Sequence, residues 1–70
     1  MKKAGRRIKE LRTELGMSQS QLAEKIGAAQ NTIAQYEKGT SKVGVEVLAN
    51  LVVVLKTTAD YLLGLTDIQN

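Results

Sequence analysis

The sequence predicts an all-α domain of five short helices, and three observations carry that reading. Apolar residues recur at helical spacing in four separate stretches of the 70 residues, and a cap followed by paired leucines marks a fifth. Cap residues and glycines stand where those stretches would begin and end. The only β-like run, around residues 45–55, would have no partner strand in so short a chain.

The first helix is expected over about residues 5 to 15, because Ile8, Leu11 and Leu15 repeat at i, i+3 and i+7 while Arg6, Lys9, Glu10 and Glu14 fall elsewhere on the wheel. Gly16 ends it. The second begins at Ser18, whose hydroxyl and the Gln21 amide three residues on form a capping box, with Met17 and Leu22 as a hydrophobic staple. Leu22, Ala23 and Ile26 make its inner face. Gly27 supplies a left-handed turn position, and a third helix restarts near Ala29 with Ile33 and Tyr36 inward, closed by Gly39.

Valine-rich residues 45–55 favour strand by propensity, but Val45, Leu48, Val52 and Leu55 repeat at i, i+3, i+7 and i+10 with Leu51 on the same side. Periodicity decides for a fourth helix. In that register Val47 and Val53 point outward, either as misplaced core or as a dimer surface, and the dimer is the preferred reading. A fifth helix starts at Thr58 as N-cap, with Asp60 in its first turn and Leu62 and Leu63 inward.

Composition narrows the functions available. The chain has no His, Cys, Trp, Phe or Pro, which removes the usual zinc ligands, disulfides and the commonest general base. No catalytic constellation, metal site, cofactor site or small-molecule site is visible, so an enzyme is not expected. The longest apolar run, Leu51 to Leu55, is far too short for a bilayer, so no membrane contact is expected and a cytoplasmic location follows. Charge is lopsided. Residues 1–42 carry nine Lys or Arg against four Glu, whereas residues 43–70 carry Lys56 against Glu46, Asp60 and Asp67. One end of the molecule suits a polyanion.

The stretch 18–37 gives that charge a meaning. Two short helices joined by a tight turn can place one in the major groove of DNA while the other lies across it, which requires close packing at Ala23 and a sharp turn at Gly27. The outward face of the second of these helices carries Gln30, Asn31, Thr32 and Gln35, amides and a hydroxyl that both donate and accept hydrogen bonds. Such groups suit base edges.

Arg6-Ile8-Leu11-Arg12-Leu15-Gly16, Ser18-Gln19-Leu22-Ala23-Ile26-Gly27, Thr32-Ile33-Tyr36-Glu37-Gly39, Leu48-Leu51-Leu55 and Asp60-Leu62-Leu63-Gly64 together resemble the phage-repressor-like (Cro/cI, Xre-type) helix-turn-helix family over nearly the whole chain. The resemblance implies a single domain over 1–70, a compact lambda-repressor-like bundle whose third helix recognises DNA. It implies a transcriptional regulator, a repressor binding a near-palindromic operator in double-stranded DNA as a homodimer. By the same resemblance Gln30, Asn31 and Gln35 occupy base-reading positions, Asn31 with the shorter reach, and a Gln at the start of the third helix looks like those that read adenine. Gln19 matches a phosphate clamp; Thr32, Lys38, Thr40, Ser41, Lys42 and Arg7 are further candidates for phosphate contact, with Arg6, Lys2 and Lys3 free to touch the backbone elsewhere. Arg12 and Glu37 match a structural ion pair. The chain departs from the pattern at Ala28-Ala29, where a Ser or Thr cap is usual, so the start of the third helix is expected to fray without DNA. The competing reading is a DNA-binding antitoxin or other partner-neutralising module, against which stands the lack of a tail after Asn70 to wrap a toxin.

Overall fold

The computed structural model describes residues 2–68, and among them the chain is helical without a strand. Five helices follow in order: α1 (Lys2–Glu14), α2 (Gln19–Ile26), α3 (Gln30–Lys38), α4 (Val45–Val54) and α5 (Ala59–Leu63). α1 packs on α3 and α5, α2 on α3 and α4, and α4 on α5. Ile8, Leu22, Ile33, Leu51, Leu55 and Leu62 are fully buried at the centre of this arrangement, so every helix contributes to one aliphatic core.

α1 starts three residues earlier than the apolar spacing suggests, because its first turns are used for packing through small side chains. Ala4 is buried, and Gly5 lies so close to α3 that a Cβ there would fall on the Tyr36 carbonyl oxygen and 2.9 Å from that of Glu37. A larger residue would hold the two helices apart. At the other end, Gly16 adopts φ +73° and the Met17 N–H returns to the Arg12 carbonyl at 3.0 Å. The same left-handed closure at Gly27 (φ +71°) and Gly39 (φ +78°) ends α2 and α3.

The capping box on α2 forms in full: Ser18 Oγ accepts from the Gln21 N–H at 3.0 Å, and Gln21 Oε1 accepts from the Ser18 N–H at 2.8 Å. Thr58 caps α5 by accepting from the Tyr61 N–H at 3.1 Å. Ala29 at the start of α3 has no side chain able to do this, as the sequence indicated.

Three inward assignments need correction. Leu15 follows the last turn of α1 and is 41% exposed, since the helix ends before its wheel position is used. Val45, the first residue of α4, is 84% exposed while Val47 packs against the core, but Leu48, Leu51, Val52 and Leu55 face inward as the spacing predicts. The wholly buried Leu51 sets that face, and 47, 48, 54 and 55 flank it on the helix surface. Val53 faces outward as expected; Leu63 does not turn inward, because α5 buries Leu62 alone.

Candidate nucleic-acid interface

α3 is anchored from beneath by Ile33 and Tyr36, both buried. A helix held by that stripe must turn the residues between it outward, and Gln30, Asn31 and Gln35 are exposed. The three base-reading candidates therefore share the solvent side of one helix. What the sequence does not show is how they are held.

Beneath α3 lies a buried ion pair. Arg12 Nε meets Glu37 Oε2 at 2.7 Å, with the two side chains 12% and 4% exposed. Arg12 Nη2 donates to Glu37 Oε1 at 3.2 Å, and Nη1 donates to the Met17 carbonyl at 2.7 Å. The expected structural pair is thus present, and the guanidinium fork also pins the α1–α2 connection. Glu37 Oε1 accepts a further bond from Gln19 Nε2 at 3.0 Å, and Gln19 Oε1 accepts from Gln30 Nε2 at 2.7 Å. A continuous chain of polar contacts runs from the interior, Arg12 to Glu37 to Gln19, and ends on the exposed amide of Gln30.

That chain fixes what Gln30 can show a ligand. One of its two Nε2 hydrogens is used on Gln19, leaving one N–H and the carbonyl oxygen outward, one donor beside one acceptor. Adenine presents the complementary pattern in the major groove through N6–H and N7. Gln35 is set the other way. Its Oε1 accepts from the Ser41 hydroxyl at 3.1 Å, so both of its N–H donors remain available.

The phosphate candidates separate into three groups. Lys38 and Lys42 are exposed on and just after the end of α3, and the Thr32 hydroxyl has no partner among the described residues. Thr40 and Ser41 have committed their single hydroxyl hydrogens, Thr40 to the Gln35 carbonyl at 3.2 Å and Ser41 to the Gln35 side chain. They close α3 and aim Gln35, and that use competes with the expected donation to phosphate. The Gln19 side chain likewise orients Gln30 and meets Glu37; it is the unbonded N–H groups of the first turn of α2 that face outward for an anion.

Arg7 is a correction. It is 8% exposed, its guanidinium lies 4.0 Å over the Tyr61 ring, and it donates to the Tyr61 carbonyl, to the Thr66 carbonyl at 2.7 Å and to the Asp67 carboxylate at 2.6 Å. These donors are spent inside the protein, tying α1 to the end of the chain. Lys3 passes over Gly64 on the same side, Arg6 is exposed, and the side chain of Lys2 lies outside the described residues. Basic composition alone could not tell Arg6 from Arg7; only the helical position facing α5 does so.

Among the described residues there is no cluster of metal-ligating side chains and no helix long and apolar enough to cross a membrane.

A helix-turn-helix family model matches residues 8–62. An uncharacterised HTH-type transcriptional regulator of Sinorhizobium medicae is 42% identical over 57 residues, covering 81% of this chain but 41% of that protein, so the match spans less than half the length of this relative. Among solved structures, the P22 c2 repressor in complex with a synthetic operator superposes with a TM-score of 0.83 at 29% identity, covering 89% of this chain and 94% of the other. The N-terminal DNA-binding domain of SinR from Bacillus subtilis also gives 0.83, at 33% identity, with 90% and 93% covered.

Proposed function

We propose that this chain, which belongs to the phage-repressor-like helix-turn-helix family, is a sequence-specific DNA-binding transcriptional regulator, not an enzyme, and that it represses by occupying a near-palindromic operator as a homodimer. In this reading α3 enters the major groove and α2 lies across it. The two recognition helices of the dimer meet successive major grooves about 34 Å apart.

The observation that carries the proposal is the exposed Gln30 amide fixed at the end of the Arg12–Glu37–Gln19 chain. An amide held in one orientation before binding loses little conformational freedom on meeting a base, and it favours the base whose donor and acceptor match. A good bidentate contact of this kind gives about 1–3 kcal/mol of discrimination. Gln35 and Asn31 read neighbouring positions, while Lys38, Lys42, Thr32 and the α2 N-terminus hold phosphates and set the register.

Selection of bound sequences from random duplex DNA tests the reading. A two-fold symmetric consensus containing adenine in each half, with half-sites about 10 base pairs apart, is the expected result. Retention of DNA without any consensus would reduce the protein to a non-specific binder and overturn it.

A further inference from the structure

A second surface lies outside α3. Leu15, Met17, Lys25, Val54 and Lys56 line an open groove of about 430 Å³ between the α1–α2 connection, the end of α2 and the end of α4. Its apolar members come from two places in the chain, Leu15 and Met17 in the α1–α2 connection and Val54 at the end of α4, and Leu15 remains 41% exposed. Both charged residues on its walls are lysines, and neither forms an ion pair among the described residues.

Lys56 is unusual in two respects. It is the only basic residue in positions 43–70. It also adopts φ +56°, the one non-glycine among the described residues in the left-handed region. Its N–H and that of Thr57 return to the Val53 and Val52 carbonyls, closing α4 in the manner that glycine serves at Gly16, Gly27 and Gly39. A lysine there carries backbone strain that a glycine would avoid, and residues held in that region cluster at ligand clamps and switch regions.

We propose that this groove docks an acidic amphipathic helix from a partner protein, its apolar side chains on Leu15, Met17 and Val54 and its carboxylates beside Lys25 and Lys56. The charge of the rim selects an acidic partner over a basic one. The volume is about three times the ~150 Å³ that holds one benzene, enough for the apolar anchors one or two helical turns apart. An open groove suits a helix better than a small molecule, because a small ligand would stay half in water where most sites bury 70–90% or more of it. No residue of α3 lines the groove, so α3 stays free while it is filled.

The test uses the whole chain and three synthetic probes. These are a helical peptide with Leu at i, i+3 and i+4 flanked by Glu, the same peptide with Lys for Glu, and decanoate. The acidic peptide should move the NMR signals of the Leu15, Met17 and Val54 methyls, and added salt should weaken it. Lys25→Ala with Lys56→Gly should lower its affinity by about fivefold. Lys56→Gly alone should raise Tm while weakening the peptide, a combination that a purely structural lysine would not give. Failure of the acidic peptide to bind, equal binding of the basic peptide, tighter binding of decanoate, shifts confined to other surfaces, or unchanged affinity in the double variant would each overturn the proposal.

Discussion

Replacing Gly5 by alanine sets two opposite effects against each other. In a helix interior alanine is favoured over glycine by about 0.5–1 kcal/mol, because glycine loses more backbone freedom on folding. Against this, the new methyl would fall 2.9 Å from the Glu37 carbonyl oxygen and nearer still to that of Tyr36. Ordinary contact begins near 3.4 Å, so α1 and α3 must part by more than half an ångström. Both obstacles are backbone atoms, and no rotamer change relieves them. Overpacking of this kind costs about 1–3 kcal/mol, and the larger figure applies here because α3 is also held by the Arg12–Glu37 pair. The clash wins, leaving a net loss of about 2 kcal/mol. For a domain of this size that lowers Tm by about 8–16 °C. Thermal unfolding followed by helical circular dichroism measures it directly. A Gly5→Ala protein that melts several degrees higher than the parent would show that the helices do not approach as described.

Ala29→Ser should supply the missing cap of α3 and stabilise the domain by about 1 kcal/mol; hydrogen exchange in the first turn of α3 would slow, and unchanged exchange would mean the turn is already closed. Glu37→Ala leaves Arg12 buried without its partner and should cost about 3–5 kcal/mol in urea unfolding, whereas Arg12→Met combined with Glu37→Leu should recover most of it. An equal loss in both proteins would assign the effect to shape, not charge. Gln30→Ala should weaken a selected operator while sparing unrelated DNA, and equal losses on both would remove Gln30 from base reading. Lys38→Ala should weaken both alike and reduce the salt slope by about one unit; an unaltered slope would take Lys38 out of phosphate contact.

Where the chain's local rules act alone, the sequence could be read directly. Ser18 with Gln21, Thr58, and the glycines at 16, 27 and 39 mark their helix ends because caps and left-handed positions depend on few residues. The pairing of Arg12 with Glu37 came only through family resemblance. Contacts between helices distant in sequence were hidden. Gly5 reads as a helix weakener until α3 is placed against it, and Arg6 and Arg7 read alike until α5 covers one of them. In α4 the inward set Leu48, Leu51, Val52 and Leu55 was legible from periodicity, but Val45 and Val47 at its start were assigned to the wrong sides, because a helix rich in valine has apolar residues on several sides. The link from Gln19 to Gln30 was out of reach for the same reason: both residues were visible as binders, but their mutual bond depends on the angle between two helices.

The contacts of Arg7 change where the folding unit stops. α5 ends at Leu63, yet two of the groups that satisfy the buried guanidinium, the Thr66 carbonyl and the Asp67 carboxylate, come after it. A fragment trimmed at the last helix would retain the complete secondary structure and the recognition surface, and would still leave a cation in the interior short of acceptors. Protease cleavage after Leu63, or a fusion junction placed there, would therefore loosen the packing of α1 against α5. In this chain, a boundary drawn at the end of α5 separates Arg7 from two of its acceptors.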